Sequence, residues 1–444
     1  MSGTPVNPSS GSNELPTPTG SAARETIATA SASLNTTGEF SSPPEGGVGK
    51  LVVLMVTAFI DMVGVLMIIP LMPFYATKLG ANGLIVGMLV ASFSVAQLIS
   101  APMWGRVSDK YGRRPALLIG LSASVIAYLV FAYADSLWLL FLSRLIQGAG
   151  GGTVSVVQAY VADVTKPEDR AKSLGWLSAV TNAGVAIGPL IGSWAHHLGR
   201  HAPGLFAASL CLINIVFAWR FLVEARKPDT ATGKKVASRT SWEAVSRVVL
   251  HPHEPSSRLI FIYAIAIGAF QGVTSLLALF LAWRFGVTAD TIGLFFLYIG
   301  VLSVVMRAFL LPLLLDRFGE ARLSRFGLIF LSGGLVGLAF SYDYFTLAIS
   351  VACFPVGTAL TFPCVTAMLS RVTSSNERGL YMGVQQTFGG MSRVLFPVLF
   401  GLAWDGIGKP SPFLISAVMV AATLLLGRDL EKYSPRVVKP AAAG

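Results

Sequence analysis

Twelve apolar runs follow one another along this chain, and each is long enough to cross a lipid bilayer as a helix. A membrane-spanning helix needs about 20 mostly apolar residues. The runs occupy residues 51–76, 84–105, 115–134, 137–162, 172–197, 204–223, 259–283, 291–314, 323–342, 345–370, 379–403 and 411–427. Charged residues make up only 12% of the 444 residues, too few to cover a water-soluble protein of this length. The sequence therefore predicts an all-α integral membrane protein with twelve transmembrane helices, spans 1 to 12, and argues against a soluble enzyme.

The distribution of Lys and Arg predicts how the spans are oriented. With the N-terminus in the cytoplasm, 26 of the 33 Lys and Arg residues fall in cytoplasmic segments and 4 in outside segments. Cytoplasmic loops of membrane proteins are enriched in these residues, so we expect both termini in the cytoplasm and the chain in the plasma or inner membrane. The same bias accounts for the net charge of +11 without a nucleic-acid partner.

The polar segments divide the chain into five regions. Residues 1–50 are rich in Ser, Thr, Pro and Gly and cannot bury enough apolar surface to offset their conformational entropy, so we predict a disordered cytoplasmic tail. The longest later polar break separates the first six runs from the last six. We therefore expect six-helix bundles over residues 51–223 and 259–430, a cytoplasmic linker over 224–258 and a cytoplasmic tail over 431–444.

The two halves repeat each other in sequence. Asp109 follows span 2 and Asp316 follows span 8, 207 residues later, each at the start of an Asp-basic-aromatic-Gly segment. Arg170 after span 4 matches Arg378 after span 10 with an offset of 208. A repeat of six helices in the same membrane orientation is typical of secondary transporters. The sequence therefore predicts two six-helix pseudo-repeats.

The loop between spans 2 and 3 carries a specific motif, Gly105-x3-Asp109-Lys110-x-Gly112-Arg113-Arg114. In a chain of twelve spans in two halves, this motif resembles the major facilitator superfamily, over roughly residues 51–430. The resemblance implies the major facilitator fold and a carrier of small molecules in the lipid bilayer. We expect a monomer that needs no cofactor.

Two motifs in the first half narrow the resemblance to the drug/proton antiporter branch. They are Gly184-x3-Gly188-Pro189-x2-Gly192 in span 5, similar to the antiporter motif, and Arg144-x2-Gln147-Gly148 in span 4, similar to the proton-coupling motif. Asp61 in span 1 and Asp163 at the end of span 4 lie in segments similar to the tetracycline/proton antiporters. The resemblance implies a proton-coupled antiporter that exports a small organic solute or drug by alternating access, as multidrug efflux proteins in drug resistance do.

The loop motif predicts a conformational latch between the two halves. Gly105 lets span 2 pack closely against a neighbour, and Gly112 permits a tight turn. Asp109 can face a helix N-terminus or an arginine, and Arg113 can pair with Asp163. Similar transporters use this loop to join the halves in the outward-open state. The alternative is an ordinary positively charged cytoplasmic loop.

Three glycines four residues apart lie on one face of span 5: Gly184, Gly188 and Gly192. Small residues at this spacing let helices pack backbone to backbone, either to seal an antiporter against leak or simply for packing. At an offset of 208 the second half has Ser392, Phe396 and Phe400, so this face is unique to the first half. The second-half loop also departs from the motif, because Pro312 replaces the first glycine and Glu320-Ala321 the basic pair. We expect a weaker latch there.

Two charged residues of the first half lie within predicted spans, Asp61 in span 1 and Arg144 in span 4. The equivalent residues of the second half are Ala269 and Ala352, so the repeat does not require the charges. A charge inside the membrane is costly and marks a functional candidate. A carboxylate that gains and loses an arginine neighbour binds and releases a proton, which predicts proton coupling. The alternative is a static buried salt bridge that orients the helices.

The second half has two arginines within its own spans, Arg307 and Arg393, without charged equivalents in the first half. Gln386 shares a helix face with Arg393, while Gln147 and Gln271 offer further polar contacts. One interpretation is a cationic, hydrogen-bonding wall that favours substrates with carboxylate, phenolate or other acceptor oxygens. The other is structural, with arginines and amides that hydrogen bond between helices.

The sequence does not indicate disulfides, a metal site or the use of ATP. All three cysteines lie in apolar runs, and the cluster of His196, His197 and His201 in one outside loop favours a solvated loop over a metal site. The absence of a Gly-Lys-Ser/Thr phosphate loop argues against ATP. The remaining alternatives are a proton-linked or uniport carrier of sugars or organic anions, and a non-transporting membrane sensor of the same fold.

Overall fold

The computed structural model describes residues 48–151, 153–166, 169–224, 241–374 and 376–433. Within these ranges all regular structure is helical, so the predicted all-α fold is confirmed. Most of the predicted N-terminal tail, the centre of the linker and the end of the C-terminal tail lie outside the described residues. Those parts of the predicted organisation remain predictions.

The first half is built from six spans, two of which are divided. They are span 1, Val48–Ile68 and Met72–Lys78; span 2, Gly83–Tyr111; span 3, Arg113–Ala132; span 4, Leu137–Gly150 and Thr153–Val164; span 5, Arg170–His196; and span 6, Ala202–Phe221. Pro70 lies at the break in span 1, since a proline inside a helix removes a hydrogen bond and clashes with the preceding turn. Gly112, with φ of +100°, makes the sharp turn from span 2 to span 3.

The second half repeats this arrangement. Its spans are span 7, Pro255–Phe285; span 8, Ile292–Val305, Met306–Leu310 and Leu311–Phe318; span 9, Glu320–Phe340; span 10, Tyr344–Val372; span 11, Arg378–Gly406; and span 12, Ser411–Leu426. The middle piece of span 8 is a π-helical turn. Such turns occur mostly as single insertions in α-helices, often at functional sites, and this one contains Arg307.

Ten helical segments of the described chain are long and apolar enough to cross a membrane. The other two predicted spans fall short individually, because span 4 is divided near Gly151 and span 12 is a helix of 16 residues. Together they account for the twelve predicted runs. The chain is therefore an integral membrane protein, as its composition predicts.

The linker contains a helix, Ser241–Leu250, that the sequence pattern did not indicate. It is too short and too polar to resemble a span. Arg247 pairs with Glu254 just before span 7, with 3.0 Å between Nη2 and Oε1. The hydrogen-bonded carboxylate raises the pKa of Arg247. This ion pair ties the linker helix to the start of the second half.

The two ends of the bundle differ. We call the end with residues 106–114 and 317–325 the basic end, and the end with residues 79–82, 286–291 and 406–410 the opposite end. The positive-inside rule predicts that the basic end is cytoplasmic.

The halves meet along two seams, one between spans 2 and 11 and one between spans 5 and 8. Gly87 of span 2 lies against the backbone of Pro397, and Gly300 of span 8 lies against Ala186, so closely that a Cβ on either glycine would overlap its neighbour. Both glycines are in the half of their span nearer the opposite end. The halves are therefore in close contact on that side of the bundle.

Candidate functional site

The predicted latch loop is held by an ion-pair cluster around Arg113. Arg113 lies 2.9 Å from Asp163, between Nε and Oδ2, and 2.7 Å from Asp109, between Nη1 and Oδ1. It also donates a hydrogen bond to Ser108. The Arg113 side chain is 8% exposed, and all three partners belong to the first half. The pairing of Arg113 with Asp163 is the one that the sequence predicts, and its role as a latch remains a prediction.

Glu224, a residue that the sequence analysis missed, caps the N-terminus of span 3. Its carboxylate accepts hydrogen bonds from the backbone N–H groups of Arg113, at 2.8 Å, and Arg114, at 3.0 Å. A carboxylate at a helix N-terminus satisfies free donors and complements the helix dipole. A Cβ at Gly112 would lie 2.6 Å from the same carboxylate. The turn, the cap and the ion pair therefore form one unit.

One expectation for the loop is wrong in this conformation. Gly105 was predicted to let span 2 pack closely against a neighbour, but a Cβ added to Gly105 would meet nothing within 4 Å. The seams are closed near the opposite end, and Gly105 lies near the basic end of span 2, away from them. Any close packing of Gly105 belongs to another arrangement of the halves.

The second-half loop forms an ion pair of reversed polarity. Glu320 occupies the position of Arg113, and Arg371 occupies that of Asp163, with offsets of 207 and 208. Glu320 Oε2 lies 2.7 Å from Arg371 Nη1. Both acid and base are exchanged while the contact is kept. The offset from Asp163 to Arg371 was available in the sequence, and it could have revealed the pair.

The predicted antiporter glycines pack against span 1. A Cβ at Gly184 would lie 2.9 Å from the Phe59 carbonyl oxygen and one at Gly188 would lie 2.7 Å from that of Val63, while Gly192 contacts Met67 more closely still. The segment of span 1 that they contact contains Asp61. Pro189 presents its carbonyl oxygen to Gly293 of span 8. This motif therefore positions span 1 and also takes part in a seam.

In the second half, the glycines lie on the other helix of the equivalent pair. Gly268 and Gly272 of span 7 face the rings of Phe396 and Phe400 of span 11. The close approach that the first half achieves with glycines on span 5 is thus achieved here with glycines on span 7. In each half, one helix of the pair provides the groove and the other fills it.

Asp61 lines a cavity of about 330 Å³ with polar side chains of spans 4 and 5, Gln158, Ser178 and Thr181. No Lys, Arg or His of the described chain lies within ion-pairing distance of it. The structure therefore does not bring Asp61 and Arg144 together as a salt bridge. Their predicted coupling role remains a prediction.

Tyr128 of span 3, which the sequence analysis missed, is close enough to both charges to interact with them. It is fully buried, lies within electrostatic range of both Asp61 and Arg144, and accepts a hydrogen bond from Gln147 Nε2 at 3.1 Å. Its ring contacts span 1 at Gly64, where a Cβ would lie 3.4 Å from a ring carbon. Gln147, predicted as a substrate contact, is 1% exposed. It contributes to this internal link and lines none of the four cavities described in this section.

Arg144 and Arg393 line a second cavity, of about 320 Å³, from opposite halves of the molecule. Gln97 and Gln271 also line it, and the remaining wall is largely apolar. Arg144 is 2% exposed, its guanidinium lies 5.8 Å from the centre of the Phe131 ring, and its Nη2 has no hydrogen-bond partner. The cavity therefore contains a buried cation with unused donor capacity.

Arg307 lines a third cavity, of about 310 Å³, with Asn182, Gln271 and several aromatic side chains. Its Nε is buried without a hydrogen-bond partner. Arg307 and Arg393 were predicted to form one wall. The structure places them in adjacent cavities that share Gln271.

A cleft of about 510 Å³ between spans 2, 4 and 11 adjoins two of these cavities. Gln386 and Arg393 line it from span 11, and it shares Gln158 with the Asp61 cavity and Gln97 with the arginine cavity. Its lining extends along span 2 to Pro102, toward the basic end. The candidate site is therefore a set of neighbouring cavities that share lining residues, and the cleft among them extends toward the basic end.

Two polar contacts that the sequence analysis missed join the halves at the opposite end. Asp405, at the end of span 11, accepts hydrogen bonds from the first N–H groups of span 2, Gly83 at 3.0 Å and Leu84 at 2.8 Å. His196 Nδ1 lies 3.0 Å from Asp290 Oδ1 across the other seam. Within the described ranges no group of potential metal ligands occurs; His196 and His197 of the histidine cluster lie near Asp290 of the second half, whereas His201 contacts Ala132 of the first half.

Comparison with known proteins agrees with this architecture. The Major Facilitator Superfamily matches residues 54–341 and 259–443. The chain is 29% identical over 366 residues to the class B tetracycline resistance protein of Escherichia coli, covering 80% of this chain and 90% of that one. It is 29% identical over 378 residues to multidrug resistance protein 1 of Bacillus subtilis, covering 85% and 95%.

A solved structure has the same fold. The human organic anion transporter MFSD10 superposes with a TM-score of 0.63 at 21% identity, covering 87% of this chain and all of that one. At this identity the likeness concerns the fold alone. The matched family model, the helical repeat and the loop motif together show that this chain belongs to the Major Facilitator Superfamily.

Proposed function

We propose that this protein is a proton-coupled antiporter that exports a small organic solute or drug from the cytoplasm by alternating access. Its relatives include tetracycline and multidrug resistance proteins that match most of the chain. The observation that carries the proposal is the cleft between the halves that Arg393 lines, which shares Gln158 with the Asp61 cavity inside the first half. Alternating access needs such a central site with two ends that open in turn.

The described conformation corresponds to the state open to the cytoplasm, if the basic end is cytoplasmic. Export then requires the seams at the opposite end to separate while the basic end closes. Closure brings the loop at Gly105 and Asp109 against the second half. The empty space around Gly105 supports this order, because a latch that acts in the outward-open state is disengaged here.

Asp61 is the proton carrier in this proposal. It lines a cavity with Gln158 and Thr181, which can hydrogen bond to the water that delivers a proton. Arg144 acts on Asp61 through the buried Tyr128–Gln147 pair. A static Asp61–Arg144 salt bridge is the weaker interpretation, since the two residues line different cavities.

The substrate site lies where Arg307, Arg393, Gln271 and Gln386 line the neighbouring cavities. Guanidinium and amide groups in a low-dielectric site favour ligands with acceptor oxygens. A lipophilic cation is a poor ligand there, because the arginines repel it.

The test is flux in proteoliposomes with tetracycline, a quinolone and ethidium as probes, with and without an imposed pH gradient. Wild type should accumulate at least one probe against its gradient when the pH gradient is present. Asp61→Asn should lose this accumulation but keep counterflow, which needs no proton movement. Asp135→Asn, an exposed acid near the start of span 4, is the matched control and should behave as wild type.

Three outcomes contradict parts of the proposal. Gradient-driven accumulation by Asp61→Asn would assign the proton to another group. Counterflow without any response to pH in wild type would indicate a uniporter. The absence of flux for every solute would favour the sensor alternative.

A proton-linked carrier of organic anions is the second candidate. The three arginines that line the cavities favour it, because only one acid, Asp61, lines the same four cavities in the described chain. Uptake of an organic anion together with protons, in place of exchange, would distinguish it from the antiporter.

A further inference from the structure

The cavity between Arg144 and Arg393 contains two cations and no acid. In the part of the chain that the structure describes, no carboxylate lies within 4.0 Å of either guanidinium, and the cavity wall includes no Asp or Glu. Asp61, the expected partner of Arg144, lines a different cavity. Arg144 is 2% exposed and its Nη2 donor is unused. Arg144 Nε donates one long hydrogen bond, of 3.4 Å, to Ser143 Oγ, and the guanidinium has no acidic partner among the described residues. A buried guanidinium without a carboxylate is costly, so the arrangement calls for an anion that the described residues do not supply.

The rest of the wall indicates what kind of anion fits. Met72, Val90 and Phe93 form an apolar side, while Gln97 and Gln271 provide neutral donors next to the arginines. The volume of about 320 Å³ suits a small ligand or the head of a larger one. The adjoining cleft of about 510 Å³ offers room for the remainder. The cavity is thus amphipathic, with its charge concentrated where the two halves face each other.

We propose, on the basis of the transport function above, that Arg144 and Arg393 jointly bind the carboxylate of an amphipathic organic anion. The planar donor fork of arginine matches a carboxylate geometrically. The apolar body of the anion lies against Met72, Val90 and Phe93. Arg144 is thereby a substrate-binding residue as well as a residue that acts on Asp61.

Arg144 and Arg393, which we call the clamp, come from different halves, and this position gives them a role in the conformational cycle. Arg144 moves with the first half and Arg393 with the second, so one carboxylate bound to both bridges the halves. A change in the relative position of the halves alters the distance between the two arginines and weakens the shared contact. The anion is therefore held in one state and released in the other. Arg307, in a separate cavity, does not take part in the clamp.

The experiment measures binding to the full-length protein in detergent, by the shift in thermal unfolding temperature and by titration calorimetry. The probes are acetate, benzoate and 2-naphthoate, each paired with its neutral amide at the same pH. We expect each acid to bind more tightly than its amide, with the difference about tenfold or more, as for a hydrogen bond to a charged group. Affinity should rise from acetate to 2-naphthoate, because more apolar area is buried.

Substitutions assign the preference to the two arginines. Arg144→Gln and Arg393→Gln should each weaken 2-naphthoate binding by about 10- to 100-fold and leave 2-naphthamide binding unchanged. The double substitution should cost less than the product of the single losses, because both arginines bind one group. Arg144→Lys, which keeps the charge but loses the fork, should fall between wild type and Arg144→Gln. Arg220→Gln, at the exposed end of span 6 and outside all four cavities, is the matched control and should keep the wild-type preference.

Three results would overturn the clamp. The first is equal binding of all three acids and their amides by wild type, including the absence of binding by all six. The second is an unchanged preference in Arg393→Gln and Arg144→Lys, which remain informative even if Arg144→Gln fails to fold. The third is a loss of affinity in the double substitution equal to the product of the two single losses, which contradicts a shared carboxylate.

The binding assay separates this inference from the proposed function, because it involves no gradient. Selective carboxylate binding without proton-driven flux would support the clamp and contradict the antiporter. Proton-driven flux of a solute that binds equally well as acid and amide would support the antiporter and contradict the clamp.

Discussion

The two halves of this protein make the same contact with opposite charges. In the first half, Arg113 at the start of span 3 pairs with Asp163 at the end of span 4; in the second, Glu320 pairs with Arg371 at equivalent positions. The repeat therefore preserves an ion pair between the third and fourth helices of each half, but not its polarity. What the fold requires is the contact itself, because either order of charges joins the two helix ends.

Helix packing shows the same exchange. Glycines on span 5 receive span 1 in the first half, whereas Gly268 and Gly272 on span 7 receive Phe396 and Phe400 in the second. A close crossing of two helices needs small residues on one of them. The repeat again preserves the geometry and not the residue that provides it.

Other charges have no counterpart in the opposite half. Asp61 and Arg144 correspond to Ala269 and Ala352, and Arg393 corresponds to Val185. Arg144 and Arg393 line a cavity between the halves, and Asp61 lines a cavity within the first half. The comparison thus separates charges that form the same ion pair in both halves from charges that line cavities and have no counterpart.

Exchanging the polarity of the two ion pairs is the strongest test of this comparison. Arg113→Glu alone places a buried acid beside Asp163 and Asp109 and should lower stability by about 3–5 kcal/mol, as expected when a buried pair is broken. Glu320→Arg alone should be milder, because this site is more exposed on the Arg371 side, at 44%. Thermal unfolding of the purified variants measures both.

The double exchanges give the decisive comparison. Glu320→Arg with Arg371→Glu should restore wild-type stability, since it gives the second half the polarity of the first. Arg113→Glu with Asp163→Arg should restore only part, because Asp109 remains 2.7 Å from the position of Arg113. No recovery in either double variant would mean that polarity matters and that the equivalence of the halves is superficial.

A second substitution should restore the stability lost by a glycine substitution in the second half, but not in the first half. Gly188→Ala and Gly268→Ala each add a methyl group to a tight contact and should cost about 1–3 kcal/mol. Phe396→Leu should rescue Gly268→Ala, because the obstacle there is a side chain. Leu66→Ala should not rescue Gly188→Ala, because the Val63 carbonyl remains in the way. Rescue of both would show that the first-half helices adjust more easily than their packing indicates.

The seams at the opposite end can be compared by removing one polar contact from each. Asp405→Asn weakens the charged cap on span 2 and should shift the halves toward the state that is open at the opposite end, by about 1 kcal/mol or fivefold. His196→Gln at the other seam should shift them less, since a glutamine can still donate a hydrogen bond to the partly buried Asp290. Spin labels on the ends of spans 2 and 11 would measure the populations. A larger effect of His196→Gln would mean that the polar contact between spans 5 and 8 holds the halves together more strongly than the one between spans 2 and 11.

The smallest effect concerns the acids after the last helix of each half. Glu224 accepts two backbone hydrogen bonds at the start of span 3, whereas its equivalent Glu431, 207 residues later, pairs with the side chain of Arg325 at 2.7 Å. Glu224→Gln should cost about 1 kcal/mol, as for a lost helix cap. Glu431→Gln should cost less, because the side chain is 47% exposed. Equal losses in unfolding free energy would contradict the distinction between cap and surface pair.

Much of the fold was predictable because the bilayer constrains sequence locally. Each span must be apolar for about 20 residues, so length and composition located the helices to within a few residues at most ends. The π-helical turn at Arg307, the break in span 4 and the helix Ser241–Leu250 were not predicted. They depend on small local preferences that an apolar-run count does not resolve.

The sequence indicated several residues that line the cavities, but not which of them share a cavity, and the predicted contact Gln147 lines none of the four. Gln386 and Arg393 were expected to share a helix face, and both line the central cleft. Asp61 and Arg144 were expected to meet, yet they line different cavities, with Tyr128 within electrostatic range of both. Tyr128 carried no signal in the sequence, because a tyrosine within an apolar run is usual in membrane helices.

The sequence by itself determined the number of spans, their division into two repeats and the family motifs, since each of these is written in residues that lie close together along the chain. Only the tertiary structure decided which of the charges within the spans share a cavity. Ion pairing requires two groups within about 4 Å, and that distance depends on how each helix is rotated and how deeply it packs against its neighbours. Those quantities arise from contacts between helices far apart in sequence, such as the glycines of span 5 against the backbone of span 1. Arg144 consequently faces Arg393 across the cavity instead of Asp61.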